Sequence, residues 1–202
     1  MSAGQILRAL MELGVVPANA EMDRRGRASW RDGELDLIVH LVRALGGRLA
    51  WYTFVCDAKL GPALADHGRL AVRLQAVDET PVAWPSGPRL DDGLRELLSA
   101  LIRESLRFVR DRADLAAILA SDGDVRRGGV TTWLPAANYP SRLVGALVIA
   151  RDIQSAELER DIRARLDSGP RVLPDGRQVD VKAQAARWAA EYEKVLGVLI
   201  PV

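Results

Sequence analysis

The residues in this chain that could do chemistry are few: two histidines, His40 and His67, one cysteine, Cys56, and the carboxylates and arginines around them. His40 and Cys56 lie on two apolar runs, and both fall on the same alternation class as Tyr52 and Phe54. A thiol beside an imidazole is a nucleophile and a base, but that chemistry also needs a lowered thiol pKa and an oxyanion site. Nothing in the sequence indicates either, so Cys56 is read as a buried structural cysteine and His40 as a sheet histidine. The pair Asp66-His67, just before Gly68 in a loop, is better placed for a functional role. An enzyme or small-molecule pocket would have to open between sheet and helices and use His40, Asp57 and Tyr52 or His67. Nucleophile elbows, Walker loops, dinucleotide fingerprints, zincin motifs and calcium loops are all missing, and no metal or cofactor is expected.

The residues suited to binding are more numerous. Arg24, Arg25 and Arg27 form a charged run with Asp23 and Gly26. Trp84 stands among Pro81, Pro85 and Pro88, and a second group contains Trp133, Asn138 and Tyr139. Exposed Arg, Trp and Tyr are the usual anchors of protein interfaces. The first face to test is therefore Asp66, His67, Trp84 and the arginines 24, 25 and 27, and the second is Trp133, Asn138 and Tyr139. Arg126 and Arg127 could join the first arginines on phosphate, but acidic neighbours at 23, 122 and 124 mark solvated loops instead. Nucleic acid is the third reading and is not favoured, because the net charge is only +1 and the charges are interspersed.

These residues need elements to position them. Ile6, Leu7, Leu10 and Met11 predict a helix over 3–13, ended by Gly14. Residues 35–42 and 49–56 alternate with period two across Gly46-Gly47, which predicts a hairpin; a helix over 34–45 is the rival, since the same leucines also fit a helical stripe. Residues 28–31 before Asp32-Gly33 add a strand, and 70–77 another. The prolines of 78–88 predict a break, and Cys56, Trp51, Tyr52 and Phe54 are expected inside. Beyond it Asp91 caps a helix to about Arg110, and Asp111 or Asp114 starts a second. Pro135, Asn138 and Pro140 break the chain again. Residues 143–149, apolar almost all round, predict a buried helix capped by Ser141. Ser155 caps another helix, 172–179 form a small hairpin, and Asp180 caps the last helix. The fold class is α+β: a leading helix and antiparallel meander over 1–88, then a helical region over 89–202 packed on the sheet or forming a smaller subdomain.

The leading helix 6–13, Trp30, the strands LIVHLVR and LAWYTFVCD, His67 with RLAVRL, and Trp84 together resemble a family of bacterial α+β domains of uncharacterised function, some encoded near toxin and immunity loci. The likeness covers residues 5 to about 110 and brings no catalytic residues. It implies a protein partner, a toxin or a copy of the chain itself. A single cysteine fits a reducing compartment. No basic leader precedes an apolar run, and no apolar run approaches the roughly 20 residues of a membrane span. The expectation is a non-catalytic, cytoplasmic, immunity-like binding module with no membrane partner.

Overall fold

The structure, a computed structural model of the 202-residue chain, describes residues 1–64, 73–87, 89–132, 134, 138–172, 176 and 178–202, with the backbone alone at 73–82. Its elements in chain order are α1 (Ala3–Glu12), β1 (Glu21–Met22), β2 (Arg27–Asp32), β3 (Leu35–Arg43), β4 (Arg48–Asp57), α2 (Gly61–Leu64) and β5 (Arg73–Ala83). They continue with α3 (Asp92–Leu106), α4 (Arg112–Leu119), β6 (Arg126–Arg127), β7 (Val130–Thr131), α5 (Tyr139–Asp152), α6 (Ala156–Leu166), β8 (Pro170–Val172), β9 (Gln178–Asp180) and α7 (Val181–Leu196). A helix and sheet come first and helices follow, so the fold is α+β. Two compact units divide the chain: one holds residues 1–55, 75–108 and 126–132, the other the described residues of 56–74, 109–125 and 133–202.

In the first unit α1 starts from a capping box. Ser2 Oγ accepts from the Gln5 backbone N–H at 3.3 Å, and the Gln5 side chain accepts from the Ser2 N–H at 2.7 Å. Its stripe Ile6, Leu7 and Leu10 packs into a core with Ala28, Val39, Leu41, Leu49 and Trp51 from the sheet and Leu98 and Ile102 from α3. Burying each such large side chain stabilises by about 1.5–3 kcal/mol. The strand reading of 35–43 holds over the helical one. Leu35, Leu37, Val39 and Leu41 are buried while Asp36, Ile38, His40 and Val42 are only half-buried, as a two-residue period demands.

The five strands follow one another in space in chain order, a meander. β2 and β3 pair antiparallel with Asp32 opposite Leu35, and Gly33 at φ 57° makes the turn between them. Gly46 and Gly47, at φ 74° and 72°, turn β3 into β4. β5 ends where β4 begins, Trp84 donating its N–H to the Gly47 carbonyl at 2.7 Å, as antiparallel neighbours must. The expected break at 78–88 is corrected: the strand continues through Pro81 to Ala83. A proline lacks only its own N–H, and β5 is last in the sheet order, where one donor can be spared. The beginning of the strand expected over 70–77 lies outside the described residues. Asp91 caps α3 as expected, accepting from Leu94 N–H at 2.9 Å, but α3 ends at Leu106.

The second unit is built round α5, whose residues from Tyr139 to Ala150 are all buried. α4, α6 and α7 each pack on it. Asp111, Ser155 and Asp180 cap α4, α6 and α7 through bonds from Asp114, Leu158 and Ala183 N–H groups. The start of α5 is a correction. Pro140 does not break the chain but sits in the first helical turn, where its fixed φ suits the helix and its missing N–H is no loss. Ser141 therefore lies inside the helix, 7 % exposed, with Asn138 in the cap position. Cys56 is corrected too: it is half-buried, on the β4 face of Tyr52 and Phe54.

Candidate functional site

The loop joining β1 to β2 is shaped by one carboxylate and one glycine. Asp23 Oδ1 accepts from the backbone N–H groups of Arg25 at 2.8 Å and Arg27 at 3.0 Å. These bonds, that from Arg27 first, hold the Asp23 carboxyl below its usual range. Gly26 is buried at φ 80°, and a Cβ there would run into the Ala3 Cβ and come within 3.3 Å of the Leu41 carbonyl. Its own carbonyl accepts from Leu41 N–H at 3.0 Å. A fixed backbone thus carries Arg24, Arg25 and Arg27, all exposed.

Trp84 is half-buried, and its indole N–H donates to the Met1 carbonyl at 2.9 Å. Because Gly26 abuts Ala3 and Trp84 bonds Met1, the arginine loop and Trp84 come to the same end of α1. Asp66, His67 and Trp133 lie outside the described residues.

Of the described residues of the enzyme reading, His40 and Tyr52 meet and Asp57 stands apart from them. His40 and Tyr52 are ring neighbours at 6.2 Å, and Tyr52 stacks on Phe54 at 6.4 Å. Asp57, five residues after Tyr52, points to the opposite face of β4 and is fully buried. Its carboxylate accepts from the Lys59 and Leu60 N–H groups, both at 2.9 Å, and from Arg112 Nε at 2.7 Å. Among the described residues no three His, Cys, Asp or Glu side chains are grouped to hold a metal ion, and no helix is long and apolar enough to cross a membrane.

The second unit buries charge. Arg112, 4 % exposed, bonds Asp57 and also Asp152, at 2.6 Å, and Lys59 reaches the same Asp152 at 2.5 Å. Burial raises the Asp152 pKa, but the bonds from Lys59 and Arg112 outweigh it and hold the carboxyl below its usual value. Tyr192 is pushed well above the phenol range by burial, against a hydrogen bond with Ser141.

At the other end of α5, Asn138 is exposed but Tyr139 is buried, its ring lying under the guanidinium groups of Arg171 at 4.2 Å and Arg142 at 5.4 Å. Arg171 pairs with Asp122. Arg142 Nη1 donates to the Leu119 carbonyl at 2.8 Å and the Ser121 carbonyl at 3.3 Å. Burial pushes Arg142 down to about 10, with Tyr139 and Asp124 acting in the opposite sense, so it stays charged at neutral pH.

Sequence reasoning named Asp57 and Tyr139 but missed Arg112, Arg142, Asp152 and Arg171. The usable signal was an arginine, Arg142, within a segment apolar almost all round, since a helix without a wet side must bury whatever it carries. Compared with protein-family models, curated proteins and solved structures, the chain matches none.

Proposed function

We propose that this chain is a non-catalytic, cytoplasmic bacterial binding protein of the immunity- or defence-associated kind, which takes hold of an acidic protein surface through Arg24, Arg25 and Arg27. The observation that carries the reading is the prior ordering of the loop. Asp23 and Gly26 fix its backbone, so binding orders only the three side chains. Preorganisation of this kind lowers the entropic cost of association. Arginine also suits the role because its planar fork meets carboxylates two bonds at a time. Trp84 stands half-buried at the same end of α1. The half-exposed single thiol fits a reducing compartment.

The test pairs the protein with the product of the gene adjoining its own and measures affinity by calorimetry at low and moderate salt. Charge reversal at all three positions, Arg24→Glu, Arg25→Glu and Arg27→Glu, should weaken binding by at least a hundredfold and leave the melting temperature in place. Absence of binding, or an affinity indifferent to the reversal, overturns the proposal.

A further inference from the structure

The Arg142 guanidinium differs from the other buried cation of its unit in how it is satisfied. Arg112 meets two carboxylates. Arg142, 8 % exposed, uses only Nη1, on two backbone carbonyls, while Nε and Nη2 are buried and donate to no acceptor among the described residues. Those two nitrogens make up the side-on edge of the guanidinium, whose parallel N–H bonds match two oxygens of a carboxylate or phosphate.

The neighbouring acids are already committed. Asp122 pairs with Arg171, and Asp124 Oδ1 accepts from Leu134 N–H at 2.5 Å. Helical side chains lean toward the helix start, and Arg142 accordingly lies over Tyr139, the first residue of α5. That helix of 14 residues has no acidic side chain in its first turn and no side-chain bond from its cap residue Asn138. The guanidinium thus lies beside the first residue of α5, at the positive end of the helix dipole, with Arg171 on the same ring.

We infer that the N-terminal turn of α5 is a binding site for a small oxyanion, a carboxylate or phosphate group, gripped side-on by Arg142 Nε and Nη2 and flanked by Arg171. The edge is closed to solvent, so water competes weakly there and each bond gains strength. Entry needs local opening of the turn, and association should be far slower than diffusion.

The experiment titrates the full chain with inorganic phosphate, and separately with acetate, following by nitrogen-15 NMR the Arg142 Nε–H resonance and, in wild type and variant alike, the Tyr139 and Leu143 backbone amide resonances, against chloride at equal ionic strength. A saturable shift with either anion is the expected result, and which anion produces it decides between the two sources. Arg142→Lys keeps the charge but lacks the edge, and should bind at least tenfold more weakly. If that variant fails to fold, contacts of the Nε–H with the Tyr139 ring protons assign the wild-type signal and the titration still decides. A signal that neither anion moves beyond chloride, or an Arg142→Lys protein that binds like the wild type, overturns the inference.

Discussion

Arg31 and Asp36 face each other on neighbouring strands of the first unit, their side chains 59 % and 30 % exposed, whereas Arg112 and Asp57 make an ion pair of the second unit at 4 % and 0 %. Both are arginine–aspartate pairs at hydrogen-bond distance. Their surroundings differ because the two aspartates stand on opposite kinds of strand face, one half-buried and one fully buried. On β3 alternation puts Asp36 on the wetter face, whereas on β4 it puts Asp57 on the buried face, where Arg112 of α4 has to answer it. A helix enclosed on all sides, such as α5, has no such outlet. Its Ser141 and Arg142 have to be answered from neighbouring elements, as by Tyr192 and by the Leu119 and Ser121 carbonyls.

The largest effect should come from Arg112→Ala. It leaves Asp57 without its guanidinium partner in a dry site, and removal of one member of a buried pair costs about 3–5 kcal/mol. Chemical denaturation would measure it; a loss under 1 kcal/mol would erase the contrast between the units. Next comes Gly26→Ala, at about 2 kcal/mol, since it forces a left-handed backbone on alanine and a collision with Ala3. Ala3→Gly in the same chain should recover part of that loss, and a double-mutant cycle with no coupling would refute the contact.

Acid should then loosen the second unit at Asp152 and Glu159. Asp152 titrates below its ordinary value of 3.8 when folded, so its contribution is fully present above that pH and is lost as pH falls through the folded value. Glu159, held low first by its bond from Arg151 and then by Arg163, acts in the same direction. Amide exchange followed from pH 6 down to pH 3 should therefore show α5 and α6 losing protection, and Asp152→Asn should flatten the profile. The smallest effect belongs to Arg31→Ala, which should leave the denaturation midpoint almost in place because solvent screens the pair.

The contrast also explains what could be read from the chain. Alternation at 35–42 and 49–56, the Asp32-Gly33 and Gly46-Gly47 turns, and the caps Asp91, Asp111, Ser155 and Asp180 are local signals, and the structure follows them. Pro81 and Pro140 misled because their effect depends on place: a proline is harmless on an edge strand and favourable in a first helical turn. Cys56 fell on the less buried face of β4, which composition alone does not rank. The Arg112–Asp57 pair joins residues 55 apart in sequence, and no periodicity announces a partner at that distance. Of the binding residues, the exposure of Arg24, Arg25 and Arg27 could be anticipated from their charged run, whereas Tyr139 is covered in part by Arg171 of β8, which no local signal announces.

The position of Pro81 bears on how this protein could multiply. Sheets grow when a foreign strand reads an unpaired row of N–H and C=O groups. Here one margin of the described sheet is β1, only 2 residues long, and the other is β5, where proline removes a donor. Neither margin is a good template for strand addition. At these two margins of the described sheet, self-association would lean on side-chain surfaces, which mutation can tune one residue at a time, more than on the backbone, which it cannot.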